Sequence, residues 1–356
     1  MKQSATVALI LAAALTLGAC SDQQTQQTTT ALATSGTSAT QASSGTAADT
    51  TTAGASEQST SATVSGESKT VTDMKSQVTI PANPQRIVDV SGSADELIIL
   101  GQNFIGSANT SMFDGVTVPD YLQDYFETHE VETVGNYSGS VGDLNLEKIA
   151  ALKPDLIIMN IRHEKVYDQL KAIAPTVMID DDINYVNWRG RFKQLGEWFD
   201  QTDVVDQWLA DYDQQAAELS AKVKAVIGNE TVAVIEANSV HFGSYYVYRT
   251  GGPGELIYDD LQLTPSAGVP TDVWGEVVDA EYFAQIDADH VFFFSDDGEI
   301  GDTADSPAWQ NLKAVQNGNV YLGVNNLQYD MAHTPNGKLL YMKTLAQALI
   351  DHSNVQ

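Results

Sequence analysis

The chain has 356 residues, and its 47 acidic side chains against 18 lysines and arginines give a formal net charge of −29. This balance excludes nucleic acid and anionic lipid surfaces as main partners, because both need a basic face. The single cysteine excludes intrachain disulfides and cysteine-based metal sites.

The first 19 residues have the pattern of a lipoprotein signal peptide. Lys2 precedes an apolar run, 5–17, which is too short to span a bilayer comfortably, and small residues follow up to Cys20. We therefore expect cleavage before Cys20 and acylation of its thiol, which would anchor the protein to a membrane. Residues 20–75 are rich in Ser, Thr, Ala, Gln and Gly, and they are predicted to form a disordered tether.

The rest of the chain alternates buried strand patterns with helical patterns, which is typical of βαβ units around a mainly parallel sheet. Strands are predicted at 87–90, 104–106, 155–159, 176–179, 231–236, 290–295 and 319–324. Helices are predicted at 94–100, 146–152, 164–173, 254–261, 280–286, 309–315 and 339–350.

One interval breaks this alternation. From Arg189 to Ile227 no strand is predicted, and apolar residues recur with a period of about 3.6 up to Val226. The sequence therefore predicts an α/β protein of two Rossmann-like lobes, 76–200 and 229–356. A long helix over 201–228 would join them, and the ligand cleft would lie between the lobes.

Four of the five arginines are predicted near one cleft, because ligands of open α/β sheets bind beyond the carboxyl ends of the strands. Arg162 directly follows the predicted strand 155–159, whereas Arg86 precedes the first strand and should lie at the opposite end. The four are Arg162, Arg189, Arg191 and Arg249.

Aromatic residues share these loops. They are Tyr137, Tyr185, Trp188, Tyr245, Tyr246, Tyr248 and Tyr329. Each one alone indicates packing as readily as ligand contact. Together with arginines, which bind carboxylates or phenolates through two parallel hydrogen bonds, they favour a bulky organic anion as ligand.

Several stretches resemble the iron-siderophore substrate-binding lipoproteins of ABC importers, a family with two Rossmann-like lobes and a rigid connecting helix. The most specific stretch is "VGNYSGSVGDLNLEKIAALKPDLIIMNIRHEKVYDQLKAIAPTV", and "RIVDVSGSADELIILG" and "EVVDAEYFAQIDADHVFFF" match in order and spacing. Within this family, the chain looks closest to members that bind ferric citrate-like and hydroxamate-carboxylate siderophores.

The resemblance implies a ligand and residues that bind it. The ligand would be an Fe(III)-siderophore complex, so that the iron is carried within the siderophore, with no metal bound directly by the protein and no cofactor. Arg162 would pair with the siderophore, Arg249 would act from the second lobe, and Tyr329 would face the ligand. His163 is either a further donor or a helix-start residue bonded to backbone. The full predicted set is Tyr137, Arg162, His163, Trp188, Arg189, Tyr246, Tyr248, Arg249 and Tyr329.

Asp296 and Asp297 depart from the pattern, because some catecholate-binding relatives have an arginine directly after the corresponding strand. This departure weakens a catecholate assignment.

Glu147 and Glu281 each begin a predicted helix, one in each lobe. Stabilisation by the helix N-terminus would explain both. The resemblance adds that such carboxylates pair with arginines of the two permease halves. We therefore expect a monomeric, lipid-anchored receptor on the outer face of the cell membrane, on a Gram-positive surface if the long tether is a guide, that delivers its ligand to a permease dimer.

Other classes fit less well. The same fold could bind haem or cobalamin, although haem calls for an axial ligand and mostly apolar walls. A Rossmann-like surface oxidoreductase is a weaker alternative, because "GGPGEL" lacks the full dinucleotide fingerprint. No nucleophile motif is present, so the sequence does not predict an enzyme.

Overall fold

Two sheets hold most of the buried apolar runs. The structure is a computed structural model, which describes residues 66–139, 142–180, 187–238 and 243–355. These residues belong to one compact unit, Gln58–Gln356.

The strands of the described residues are β1 (Ser68–Thr72), β2 (Gln77–Pro81), β3 (Ile87–Val90), β4 (Phe104–Ser107), β5 (Glu132–Thr133), β6 (Leu156–Met159), β7 (Thr176–Met178), β8 (Thr231–Asn238), β9 (Ser244–Tyr248), β10 (Thr264–Pro265), β11 (Gly275–Val278), β12 (His290–Ser295) and β13 (Val320–Val324). The α-helices are α1 (Ala94–Ile99), α2 (Asp120–Thr128), α3 (Leu146–Leu152), α4 (Tyr167–Ile173), α5 (Trp188–Trp198), α6 (Thr202–Ile227), α7 (Gly252–Gly254), α8 (Pro307–Gln310), α9 (Lys313–Asn317), α10 (Asn325–Met331) and α11 (Pro335–Asp351). Short 3₁₀-helices lie at Ile161–Val166, Ala280–Gln285 and Gly301–Asp305, and α7 continues as a π-helix, Glu255–Asp260.

The N-terminal lobe contains a fully parallel sheet in the order β5-β4-β3-β6-β7. Strands β3, β6 and β7 are buried at every position, as expected for a sheet with helices on both faces. The carboxyl ends of its strands meet at one edge, where the predicted arginine loop begins.

The C-terminal lobe contains a mixed sheet in the order β11-β9-β8-β12-β13, and β10 also pairs with β8. Strands β8, β12 and β13 are parallel, whereas β9 runs antiparallel to both β8 and β11. The sequence predicted neither β9 nor β11, and this omission affects the position of Arg249 described below.

The predicted connecting helix is confirmed as α6, which has 26 residues and is about 39 Å long at 1.5 Å per residue. Its buried positions recur every three or four residues, which gives one apolar stripe. One hydrophobic core runs without a break from Leu97 of the N-terminal lobe, through Leu209 of α6, to Phe293 of the C-terminal lobe.

Some predicted boundaries are wrong. The predicted tether, 20–75, includes β1, which pairs with β2 in an antiparallel hairpin. This hairpin contacts the edge strand β7, where the backbone N–H of Met74 donates to the Met178 carbonyl at 3.1 Å. The single helix predicted over 309–315 is two short helices, because the chain leaves the helical region at Leu312. Helices α2 and α10 were not predicted.

Candidate functional site

Asn160 joins the loops at the carboxyl edge of the N-terminal sheet. It directly follows β6 and is fully buried. Its Nδ2 donates to the carbonyl oxygens of Ser91 and Tyr137, each at 3.0 Å, and its Oδ1 accepts from the backbone N–H of Arg162 at 3.0 Å. One amide thus ties three strand-end loops together and fixes the start of the Arg162 turn.

Arg162 lies at this edge with an exposed side chain, as the sequence predicted. Its Nη1 donates to the Ser138 carbonyl at 3.4 Å. Burial is the main cause that lowers the pKa of the His333 imidazole, in the C-terminal lobe. The positive charges of Lys338, Arg191 and Arg162 add to this effect, in that order of size, and the resulting pKa is about 3. Arg162 therefore lies at the junction of the lobes, and its contact with a ligand stays a prediction.

Two residues predicted to bind ligand beside Arg162 are instead buried in the N-terminal lobe. Nε2 of His163 lies 2.9 Å from the Asn136 carbonyl oxygen, and burial lowers the pKa of the ring. This is the backbone-bonded alternative for His163. The Tyr137 ring packs against Gly92 so closely that a Cβ there would come within 2.3 Å of it. Neither side chain presents a surface to a ligand here.

The C-terminal lobe presents a carboxylate at the end of β8. Glu236 is fully buried; its Oε2 accepts a hydrogen bond from the Tyr248 hydroxyl, and its Oε1 accepts one from the Tyr329 hydroxyl at 2.8 Å. The Tyr246 ring lies 4.8 Å from the Tyr248 ring, centroid to centroid, and is half-buried. Three predicted tyrosines are therefore grouped around a glutamate that the sequence analysis missed.

The two edges contact each other. The rings of Phe113 and Tyr329 are 6.2 Å apart, and the Ser111 hydroxyl bonds the Asp330 carboxylate. Burial, with smaller contributions from other carboxylates, raises the pKa of Asp330 to about 6. Tyr121 shares a 2.7 Å hydrogen bond with Thr334. The junction of the lobes thus lies between the strand ends, where the sequence predicted the cleft.

A buried ion-pair network joins the lobes beside this junction. Arg191 of α5 is fully buried; its Nε donates to Glu96 Oε1 at 2.7 Å, and its Nη2 donates to the His333 carbonyl at 2.7 Å. Arg191 was predicted in the cleft, but its charge is held by Glu96. The prediction is wrong because the guanidinium is committed to the lobe–lobe contact.

Trp188 belongs to the same network. It is 2% exposed, and its Nε1 donates to Glu255 Oε1 at 3.1 Å, while Lys338 Nζ donates to Glu255 Oε2 at 2.7 Å. Its ring packs edge-on against Trp208 and Tyr212 of α6. The prediction that Trp188 contacts ligand does not fit this burial.

Arg189 faces the connecting helix. Its Nη2 lies 2.6 Å from Asp213 Oδ1 and 3.7 Å from Asp260 Oδ1, and its guanidinium lies over the rings of Trp188 and Tyr212. The two carboxylates pair with its positive charge, and the two rings pack against its guanidinium. The prediction of a ligand contact by Arg189 is therefore not supported.

Arg249 follows β9 and not β8. Because β9 is antiparallel to β8 and pairs Val247 with Ile235, the chain runs back from the carboxyl end of β8 before it reaches Arg249. Its Nη1 lies 3.4 Å from Asp259 Oδ1, and its backbone N–H donates to the Trp274 carbonyl. The side chain is partly exposed, so its ligand contact stays a prediction that requires the Asp259 pair to open.

The two docking carboxylates lie at helix starts, as predicted. Glu147 is exposed in the first turn of α3, where Asn145 caps the helix by accepting from Lys148 N–H. Glu281 is exposed in the 3₁₀-helix that Asp279 caps. One lies on each lobe, and none of the contacts given for the lobe junction involves either of them.

Comparison with known proteins decides the family. A family model described as "Periplasmic binding protein" matches residues 117–327, more than half of the chain. The chain belongs to the periplasmic binding protein family. It is 33% identical over 265 residues to the probable siderophore-binding lipoprotein YfiY of Bacillus subtilis, covering 70% of this chain and 77% of that protein.

Other members of the family are similar over comparable lengths. The Fe(3+)-citrate-binding protein YfmC of Bacillus subtilis is 30% identical over 241 residues, covering 65% of this chain and 74% of that protein. The crystal structure of Staphylococcus aureus SirA complexed with staphyloferrin B has a TM-score of 0.62 at 24% identity, covering 79% of this chain and 98% of that one. The two-lobe fold with one long helix is thus the fold of this family.

The described residues contain no group of three or more His, Cys, Asp or Glu side chains that could hold a metal ion. Within the same ranges, no helix combines the length and the apolar character needed to cross a membrane. Cys20 and Tyr185, which the sequence singled out, lie outside the described residues.

Sequence reasoning also missed Trp274. Its indole lies so close to Gly251 that a Cβ there would come within 1.9 Å of it, and its ring stacks on His333 at 6.2 Å. Trp274 is half-buried at the lobe junction. Trp274 could not be placed from the sequence because its position depends on β11, which was not predicted. Glu236 could have been noticed, because it is a charged residue within an otherwise apolar strand.

Proposed function

We propose that this protein binds a ferric siderophore outside the cytoplasm and delivers it to an ABC-type permease for iron uptake. The observation that carries the proposal is the junction between strand ends in a chain of this family: an exposed arginine lies at the carboxyl edge of one sheet, and tyrosines are grouped near the carboxyl end of β8 in the other. The names of the relatives support the same ligand class, since YfiY is called siderophore-binding and YfmC is called Fe(3+)-citrate-binding.

Arg162 is the protein's principal contact to the ligand in this proposal. Siderophore oxygens that bind iron carry negative charge, and a partly desolvated guanidinium binds such oxygens strongly. Arg249 would contribute from the C-terminal lobe once Asp259 releases it. Tyr246, Tyr329 and Trp274 would supply the aromatic walls.

Delivery requires a membrane anchor and a docking surface. Acylated Cys20 would hold the receptor at the outer face of the membrane, and the lipoprotein name of YfiY supports this arrangement. Glu147 and Glu281 would each pair with a basic residue of one permease half. Their exposure on separate lobes fits a monomer that sits across a two-fold partner.

Fluorescence titration of the purified protein tests the proposal. The chain has five tryptophans, and Trp274 at the junction should be the one that a bound ferric complex quenches. We expect saturable quenching by at least one ferric citrate, hydroxamate or catecholate complex, and loss of most of it in Trp274→Phe. Saturation by haem or cobalamin alone would assign the site to those ligands and overturn the proposal.

A further inference from the structure

The charges at the lobe junction bear on which ferric complexes can bind there, a question that rests on the proposed function. Among the described residues, Arg191 and Lys338 beside the junction are held by carboxylates of the protein itself, and so are Arg189 and Arg249. The pairs are Arg191 with Glu96, Lys338 with Glu255, Arg189 with Asp213 and Asp260, and Arg249 with Asp259. An anionic ligand would have to compete with these carboxylates for each cation.

The C-terminal edge carries negative groups at the ends of successive elements. Glu236 lies near the carboxyl end of β8, Asp296 directly follows β12, and Asp330 is in α10. The Asn325 side chain donates to Asp296 Oδ1 at 2.7 Å and so keeps that carboxylate at the same edge. A ligand anion brought here would be repelled, and the repulsion grows as water is excluded.

Glu236 also has the surroundings of a site for an ammonium group. Its two oxygens accept from the Tyr248 and Tyr329 hydroxyls, and the Tyr246 ring lies beside that of Tyr248. Aromatic rings beside a carboxylate attract organic cations through both the ring faces and the charge.

A second observation points to a missing polar partner. The Tyr341 hydroxyl is fully buried and has no hydrogen-bond partner among the described residues. Its ring lies 6.2 Å from that of Phe294, the residue that pairs with Glu236 between β12 and β8. Burial first, and then the Glu236 charge, raise the pKa of the phenol. Gln328 of α10 is 2% exposed, and both its amide atoms also lack partners within the described ranges. Buried polar groups are nearly always paired in a completed structure.

We propose that Glu236, Tyr329 and Tyr341 form an ammonium subsite, and that the ligand is a ferric complex with a protonated primary amine and a net charge of zero or above. The three N–H groups of the amine would donate to the Glu236 carboxylate and to the two phenol oxygens. Tyr329, which α10 carries, is the partner that moves to admit the amine. The iron-bound oxygens of the same ligand would face Arg162.

A matched pair of ligands tests the charge directly. One is a linear trihydroxamate ferric complex with a free terminal amine, and the other is the same complex with that amine acetylated. The iron coordination is identical and only one charge differs. We expect the amine form to bind at least tenfold more tightly near neutral pH, and a ferric polycarboxylate to bind more weakly than either. Equal binding of the pair, or tighter binding of the polycarboxylate, overturns the inference.

Glu236→Gln locates the effect. The ratio between the two affinities should fall toward one in this variant, while Glu230→Gln, which removes a carboxylate just before the opposite end of β8, should keep the wild-type ratio. If Glu236→Gln does not fold, as judged by circular dichroism, Tyr341→Phe replaces it and should lower the ratio by severalfold. A ratio unchanged in the folded variant overturns the subsite. If no ferric siderophore of any class binds the wild type, the proposed function itself fails.

Discussion

Arg189 and Arg191 are two positions apart on α5, yet they face different parts of the molecule. Residues two apart on a helix point about 200° away from each other, so one guanidinium meets α6 and the other meets Glu96 of α1 within the same lobe. Sequence spacing placed both after a strand and hence in one cleft. Arg162 is the arginine that does lie at the junction with an exposed side chain. It comes soon after its strand, so the end of that strand alone determines where the residue lies.

Arg162→Ala should weaken binding of the ferric ligand at least tenfold. Removing one partner of a desolvated charged contact typically costs about 2–5 kcal/mol. Fluorescence titration of wild type and variant measures the change. Arg86→Ala is the matched control: this residue donates to the carbonyls of Leu152 and Lys153 at the end of α3, far along β3 from the junction. Equal affinities for Arg162→Ala and wild type would remove Arg162 from the site.

The predicted site residues that the structure buries share one physical cause. Tyr137, His163 and Trp188 are buried by partners distant in the chain, such as Glu255 for Trp188. The local sequence pattern indicates which strand a residue follows, but it does not indicate which distant residues pack against that residue in the folded protein. Tyr329 was assigned to the cleft by resemblance, and its bond to Glu236 became visible only in three dimensions.

Buried carboxylates should make this protein more stable at mildly acidic pH than at alkaline pH. Burial, opposed by Arg191, raises the pKa of Glu96 from 4.5 to about 7, and burial also raises the pKa values of Asp89 and Asp95. Between the unfolded and folded pKa values the folded state binds more protons, so stability falls as pH rises through that window. We expect the melting temperature to be at least about 3 °C higher near pH 5.5 than near pH 8.

Calorimetry across that pH range measures the slope, and Glu96→Gln tests its origin. The variant should be less stable overall, since Arg191 loses its partner, but its melting temperature should change less between the two pH values. A steeper slope in the variant, or higher wild-type stability at alkaline pH, contradicts the assignment.

At the scale of elements, the start of α11 is capped by the other lobe. Asp95 of α1 accepts from the backbone N–H groups of Asn336 and Gly337 at 2.6 and 3.3 Å, and from the Asn336 side chain at 2.7 Å. A helix N-terminus has unsatisfied N–H groups and a positive dipole end, and a buried carboxylate satisfies both. This cap links α1 and α11 without any covalent connection between them.

Asp95→Ala should therefore destabilise the whole molecule. Loss of a helix cap costs about 0.5–2 kcal/mol, and unsatisfied buried N–H groups add to that figure. Urea unfolding of both proteins gives the difference. Asp120→Ala, at the exposed start of α2, serves as the control and should change stability by less than about 0.5 kcal/mol. If the two variants prove equally stable, the interlobe cap contributes nothing measurable.

The elements that were predicted well are the long or strongly apolar ones. Strands β3 and β12 and helix α6 match their predicted ranges because a buried run or a sustained helical period is an unambiguous signal. Strands β9 and β11 were missed because their exposed and buried residues mix polar, aromatic and apolar types at a sheet edge. That omission misplaced Arg249 relative to the carboxyl edge.

At the scale of the whole molecule, the lobes should move little when ligand binds. A continuous core runs through α6, and interlobe bonds join α1 to α11 and Arg191 of α5 to the His333 carbonyl. Hinge closure needs a few segments that absorb large backbone changes, and a packed helix resists this. Small-angle scattering with and without saturating ferric ligand should give nearly the same radius of gyration. A decrease of several ångströms would show that the lobes close.

Glu147→Ala and Glu281→Ala should leave ligand affinity intact but reduce iron uptake by cells. Both side chains are exposed on separate lobes, away from the junction. An exposed ion pair is worth about 0–1 kcal/mol, whereas a pair buried in a docked interface contributes more, so single variants should be partly active. Uptake assays beside titration of the same proteins measure both. A double variant that takes up iron normally would reduce these residues to helix-start stabilisers.

The cap on α11 also constrains the order in which the chain becomes stable during synthesis. Asp95 bonds Asn336, which is synthesised 241 positions later, and Arg191 bonds the His333 carbonyl, which is also synthesised later. Domains generally fold from the N-terminus as they emerge, but here the first lobe holds buried acidic groups whose partners are made last. A nascent or truncated chain that ends before α11 would therefore leave the buried Asp95 and Arg191 without these partners and expose an incomplete junction.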